Sequence, residues 1–306
     1  MPKSRSLIER ILDEQHQGLG TRVELYKKLE RELGRPIIAF YYNFETTASL
    51  EDIDVDFIEE ILRNLDLSNG LVLIINCPGG DILAAERMIK ALRSYCGDKG
   101  YFSIVPKMAM SAATLVCLGS SKIIMSPTSS LGPIDPQIHE YNPDTKRYER
   151  YSVFNILKSY SELFNKALKS RRENLEPYLQ ALETYKPKVI EEYKSLMELS
   201  KDICVNVLKS GMLQALSEGQ IKNKIKIFLT PEVTKIHERC IYPSEALKCG
   251  LTVETIDVKS KLWEKVSELH LRLNAFLSDS GNAIVVETKD ATFVRTLDEE
   301  NDENNS

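Results

Sequence analysis

LVLIINCPGGDILAAERMIKALRSYCGDKGYFSIVPKMAMSAATLVCLGSSKIIMSPTSSLGPIDPQ, residues 71–137, is the stretch on which the reading of the whole chain turns. It opens with Leu71-Val72-Leu73-Ile74-Ile75, a continuous apolar run that suits a strand buried on both faces. Pro78-Gly79-Gly80 follows at once, a turn able to hold positive φ and to let another group approach its amides closely. Asp81 is placed to cap a helix over residues 82–95, in which Ile82, Ala85, Met88, Ile89 and Leu92 recur on one face. Gly97 ends that helix, and residues 101–105 read as a second strand. The run from Met108 to Val116 is small and apolar except for Ser111 and Thr114, and it predicts a helix with a serine at its start. Residues 122–125 make a third strand before the turn-rich approach to Asp135. Strand, helix, strand, helix, strand implies a parallel sheet flanked by helices.

Outward from this stretch the rhythm continues. Residues 4–33 read as a charged amphipathic helical segment broken near Gly18 and Gly20, residues 36–42 as the first core strand, and residues 52–65 as an amphipathic helix. After Gln137 the chain turns polar, with a turn at Asn142-Pro143-Asp144, and residues 153–216 are helical with breaks at Pro177 and Pro187. A short helix is expected at Thr230-Pro231, another from Pro243 to Cys249, a strand over 253–258, a helix over 261–277 and one more strand over 283–287. The expected organisation is an N-terminal helical segment (1–34), a core with the serine (35–140), a helical insertion (141–220), a C-terminal part of the core (221–292) and a disordered acidic tail (293–306).

Composition narrows the class. With 306 residues, 42% hydrophobic and 28% charged, the chain can bury a full α/β core. A formal net charge of −5 and only short basic clusters, at residues 169–172 and 222–226, argue against a nucleic-acid surface. The six cysteines lack the paired short spacing of zinc sites, and the N-terminus has no uninterrupted apolar core, so a cytoplasmic protein with reduced thiols and no membrane span is expected. There is no GxxxxGK[ST] loop, and no nucleotide, metal or other cofactor is expected.

The segments NCPGGDILAAERMIKAL, MAMSAATLVCLGSSKIIMSP and LGPIDPQ, with the downstream run His237-Glu238-Arg239-Cys240-Ile241-Tyr242-Pro243 and Gly250-Leu251, resemble the serine dehydrogenase proteinase family, a branch of the Clp protease and crotonase superfamily. The resemblance runs over residues 35–260 in order, resting between its two motif blocks on helical character alone. It implies a Clp/crotonase-like α/β fold, a repeated β-β-α/βαβ parallel-sheet core with a helical insertion and C-terminal helices. It also implies a serine peptidase acting on a peptide or protein, assembled as a homo-oligomer, trimer or hexamer. Carried over residue by residue, the triad is Ser111, Asp135 and His237, and the oxyanion donors are the N–H groups of Gly80 and Ala112.

These residue types suit the chemistry, because a serine hydroxyl needs a neighbouring base and the oxyanion formed on attack needs fixed N–H donors. Each also has an ordinary structural use: Ser111 as a helix cap, Asp135 as a turn carboxylate, any single histidine as a core or surface residue. His16 and His270 are assigned to that ordinary use. Two other bases stay open: His139, nearer in sequence to where the Clp protease carries its base, and Lys158, where the superfamily's Ser-Lys peptidases place a lysine. A crotonase-type acyl-CoA enzyme, using carboxylates beside the same oxyanion site, and a non-catalytic scaffold of the same fold are the competing functional classes.

Overall fold

The computed structural model describes residues 6–14, 17–142, 145–230 and 239–296. Two N-terminal helices, α1 (Leu7–Glu14) and α2 (Val23–Leu33), precede β1 (Ile37–Tyr42). The chain then alternates: α3 (Asp52–Arg63), β2 (Leu71–Asn76), α4 (Ile82–Cys96), β3 (Tyr101–Val105), the two-residue β4 (Met108–Ala109), α5 (Ala112–Leu118) and β5 (Lys122–Met125). β1, β2, β3 and β5 are neighbours and parallel. Their apolar runs sort by the period of two that a strand imposes. Ile38, Phe40, Tyr42, Leu71, Leu73 and Ile75 face α3, α4 and α5, whereas Ile37, Ala39, Tyr41, Val72 and Ile74 face α2 and a long C-terminal helix. Both faces are therefore covered, which is why these strands are apolar without alternation.

β6 (Ser130–Leu131) pairs with β4 outside the main sheet. β7 (Gln137–Asn142) and β8 (Arg147–Ser152) form an antiparallel pair, followed by α6 (Val153–Lys169), α7 (Glu176–Glu183) and α8 (Pro187–Lys209). Short helices α9 (Glu218–Lys224), α10 (Lys226–Leu229) and α11 (Pro243–Lys248) lead to β9 (Val253–Thr255), α12 (Lys261–Ser280), β10 (Ile284–Glu287) and β11 (Thr292–Arg295). The main sheet has seven strands in the order β11-β10-β1-β2-β3-β5-β9, with β10 antiparallel to both of its neighbours. Among the described residues no helix is long and apolar enough to cross a membrane.

Two features differ from the sequence expectation. The polar stretch after Gln137 forms strands, paired along the β7–β8 ladder from Gln137–Ser152 to Asn142–Arg147. Residues 293–295, expected within the acidic tail, belong to β11: Phe293 packs against Phe57, with ring centroids 6.0 Å apart, and Thr292 donates to Glu287 at 2.7 Å. Residues 297–306 and the expected helix at Thr230-Pro231 onward lie largely outside the described residues.

The N-terminal helices are tied to the sheet by a buried ion pair. The Arg22 guanidinium donates through Nε and Nη2 to both oxygens of Glu287, at 2.7 and 2.6 Å, and Tyr26 donates to the same carboxylate at 3.0 Å. Both charges are out of solvent, and Arg22 also lies 4.7 Å from the centre of the Phe276 ring. Such a pair contributes little over an apolar contact of the same shape, but removing one partner strands the other. Arg22→Ala is expected to destabilise the chain by about 3–5 kcal/mol, and Arg22→Met with Glu287→Leu to recover most of it, read from urea unfolding midpoints.

His270 on α12 packs 5.7 Å from the Tyr41 ring, and its Nε2 lies 3.0 Å from Asn274 Nδ2. Burial, with Lys107 adding a smaller repulsion, lowers its pKa to about 4. The folded chain thus favours the neutral ring. The resulting stability is complete above the unfolded value and lost as pH falls from about 6.5 to about 4, on the order of 3 kcal/mol in all. His270→Phe is expected to flatten that part of the stability–pH curve, a comparison made by thermal unfolding across the window.

Candidate active site

β2 ends at Asn76, and the chain turns through Cys77, Pro78, Gly79 and Gly80 before Asp81 caps α4, its carboxylate accepting from Leu83 N–H at 2.7 Å. Gly79 and Gly80 have φ of +103° and +150°, which only glycine adopts freely. Space imposes the same choice. A Cβ on Gly79 would lie 2.7 Å from the Met110 carbonyl oxygen, 2.8 Å from Ser111 Cβ and 3.3 Å from Ala112 N. A Cβ on Gly80 would lie 2.3 Å from the Leu50 nitrogen. The glycine turn is thus pressed against Ser111 on one side and against Leu50 on the other.

Ser111 reaches this place by way of β4. Cys77 N–H donates to the Met108 carbonyl at 3.2 Å and Met110 N–H to the Cys77 carbonyl at 3.0 Å, so the chain entering α5 runs beside the end of β2. Ser111 itself has φ +49° and ψ −120°, a backbone state that costs a non-glycine residue about 1–3 kcal/mol and persists only where its surroundings enforce it. Although Ser111 occupies the N-cap position of α5, its hydroxyl makes no capping bond and has no hydrogen-bond partner among the described residues. The N–H groups of Gly80 and Ala112 likewise have no acceptor among the described residues.

Thr114, one turn into α5, holds the arrangement together. Its hydroxyl donates to the Ala109 carbonyl at 2.7 Å and accepts from Gly132 N–H at 3.0 Å, joining α5, β4 and the segment leading to Asp135. Asp135 is buried, and its Oδ2 accepts from Ser152 Oγ at 2.7 Å and Gln137 Nε2 at 2.9 Å. Ser152 also caps α6. The carboxylate is therefore tied to the head of the helical region.

The other residues singled out from the sequence are placed as follows. His237 lies outside the described residues, but both flanks of its segment are anchored to the stretch leading to Asp135. Ile134 N–H donates to the Phe228 carbonyl at 2.7 Å, and Leu131 and Ile241 exchange backbone bonds of 2.9 and 2.8 Å. His139 sits on β7 opposite Arg150. Lys158 is exposed on α6. Cys77, beside the turn, is fully buried, and that burial pushes its thiol well above the usual range. Sequence reasoning missed Leu50 and Thr114, one a backbone contact that leaves no side-chain signal, the other an ordinary residue of an apolar helix.

Against this geometry, residues 12–154, the stretch carrying the glycine turn, Ser111 and Asp135, match the family described as ClpP-like SDH-type serine proteinase. The downstream run around His237 falls beyond that match. Two uncharacterized proteins of Methanocaldococcus jannaschii are 33% and 34% identical over 128 residues, 39% of this chain. The matched stretch spans 44% and 43% of their lengths, less than half of either relative. Among solved structures, two forms of the 1510-N membrane-bound stomatin-specific protease, one in complex with a substrate peptide, superpose with TM-scores of 0.43 and 0.40 at 15% and 16% identity. They cover 71% and 81% of this chain and 79% and 83% of their own.

Gly79→Ala tests the packing directly. The backbone state alone is expected to cost roughly 1–3 kcal/mol, with the collision against Met110 and Ser111 added to it, so the variant should melt lower than Gly34→Ala, where φ is +66° and a Cβ meets open space.

Proposed function

We propose that the chain is a serine peptidase of Clp-like fold in which Ser111 is the nucleophile. The observation that carries this is Ser111 itself: held at φ +49° against Gly79, with a hydroxyl that does no capping. In this reading Ser111 Oγ attacks the carbonyl carbon of a peptide while His237 takes its proton. Asp135 fixes the imidazole tautomer and stabilises the charged ring. The carbonyl oxygen becomes an oxyanion received by the Gly80 and Ala112 N–H groups. Collapse of that intermediate expels the amine, which takes the proton from His237, and leaves Ser111 acylated. A water activated by the same histidine then releases the acid.

The match over residues 12–154 supports the nucleophile half of this site, and the anchoring of Phe228 and Ile241 beside Ile134 and Leu131 supports His237 as the base. The high thiol pKa of Cys77 supports serine over cysteine. The reading includes a cytoplasmic homo-oligomer, trimer or hexamer, in keeping with six free cysteines and with exposed Phe164, Leu168 and Leu199 on the α6–α8 region. An acyl-CoA reaction of crotonase type would leave the strained serine without a role.

A fluorophosphonate probe followed by mass spectrometry of the labelled peptide tests the assignment. Labelling is expected at Ser111, to vanish in Ser111→Ala, to slow by about a thousandfold or more in His237→Ala and to stay near wild type in Lys158→Ala and His139→Ala. Loss in Lys158→Ala with retention in His237→Ala would instead establish a Ser-Lys dyad. An unlabelled, folded wild type would contradict the hydrolase reading.

A further inference from the structure

The Gly79-Gly80 turn is braced from outside its own stretch. Leu50 N–H donates to the Gly79 carbonyl at 2.7 Å and the Leu50 carbonyl accepts from Asp81 N–H at 2.8 Å, so one residue brackets Gly80 on both sides. Leu50 ends the loop between β1 and α3, which has little regular structure to fix it. β11 reaches it from across the sheet. Arg295 on β11 donates through Nη1 to Glu51 Oε2 at 2.7 Å and through Nη2 to the Ser49 carbonyl at 3.5 Å, gripping the residues on either side of Leu50.

The same guanidinium lies 3.3 Å from Oδ1 of Asp54, a fully buried carboxylate. Its Oδ2 accepts from the Tyr42 hydroxyl at 2.6 Å and from Glu51 N–H at 2.8 Å, within the capping box that starts α3. Burial raises the Asp54 carboxyl above its usual range, and the Arg295 charge opposes that rise. β11, the end of β1 and the start of α3 therefore converge on one loop residue, and that residue holds the turn facing Ser111.

We infer that Arg295 is a positioning residue for the active site: by clamping Ser49 and Glu51 it holds Leu50, and through Leu50 it aims the Gly80 N–H at the oxyanion. This rests on the serine-peptidase reading above. The family match ends at residue 154, so the inference places a working part of the site well beyond it. The mechanism is geometric, since a donor displaced by an ångström loses most of its value to a transition state.

The test uses the full chain as wild type, Arg295→Ala, Arg295→Lys and Arg295→Ala with Asp54→Asn. For each, thermal unfolding is measured beside the rate of Ser111 labelling by a fluorophosphonate and kcat and KM for p-nitrophenyl butyrate. Arg295→Ala leaves Asp54 buried without its counter-charge and lowers the melting temperature; the added Asp54→Asn removes that burden. The expected result is a labelling rate and kcat reduced about tenfold or more in Arg295→Ala, with KM nearly unchanged. The double variant should regain thermal stability without regaining rate, and Arg295→Lys should restore part of the rate. A rate in Arg295→Ala equal to wild type, or one that returns with stability in the double variant, would overturn the inference. A wild type that is not labelled at Ser111 would remove the serine-peptidase reading itself, a failure distinct from that of the clamp.

Discussion

No side chain fits at residue 79. The positions a Cβ would take are already filled by the Met110 carbonyl and Ser111 Cβ, and this close approach of two segments 32 residues apart is the constraint from which the rest of the site follows. To bring them together, β4 must run beside the end of β2 and Ser111 must accept a left-handed backbone. The strain is borne by a well-packed neighbourhood: α5 is buried along its whole length, and Thr114 fastens it to Ala109 and Gly132. A hydroxyl left unused in so crowded a place has a chemical explanation more readily than a structural one.

The remainder of the fold holds this junction from three directions. The parallel strands place the turn and β4 at the carboxyl edge of the sheet, the edge where open α/β folds present their ligands. The Arg22–Glu287 pair fastens the N-terminal helices to β10, and β11 carries Arg295 back to the Leu50 loop. From the other side, the helical region is joined to the site through Ser152, which caps α6 and donates to Asp135 with the same hydroxyl. The segment after residue 154 is thus bound into one body with the motif-bearing core.

Much of this was legible in the sequence because the signals were local. Continuous apolar runs marked β1, β2, β3 and β5, Asp81 marked its cap, and Pro78-Gly79-Gly80 marked a turn needing positive φ. What escaped was carried by the backbone or by distant partners. Of the side chains described on β7 and β8 only Ser152 is buried, so no apolar pattern marks them, and β11 is recognised only once Phe293 is seen against Phe57 and Thr292 against Glu287. Leu50 acts through its N–H and carbonyl, which no side chain advertises. Lys158 reads the same in sequence whether exposed or buried; only the folded chain shows it exposed.

The central claim is that Ser111, Gly80 and Ala112 form one oxyanion-binding unit, and the most direct measurement is a crystal structure of the chain after reaction with diisopropyl fluorophosphate. The account predicts a phosphoryl group on Ser111 Oγ with one oxygen about 3 Å from both the Gly80 and Ala112 nitrogens. An adduct on another residue, or on Ser111 with its oxygen turned away from both amides, would contradict it.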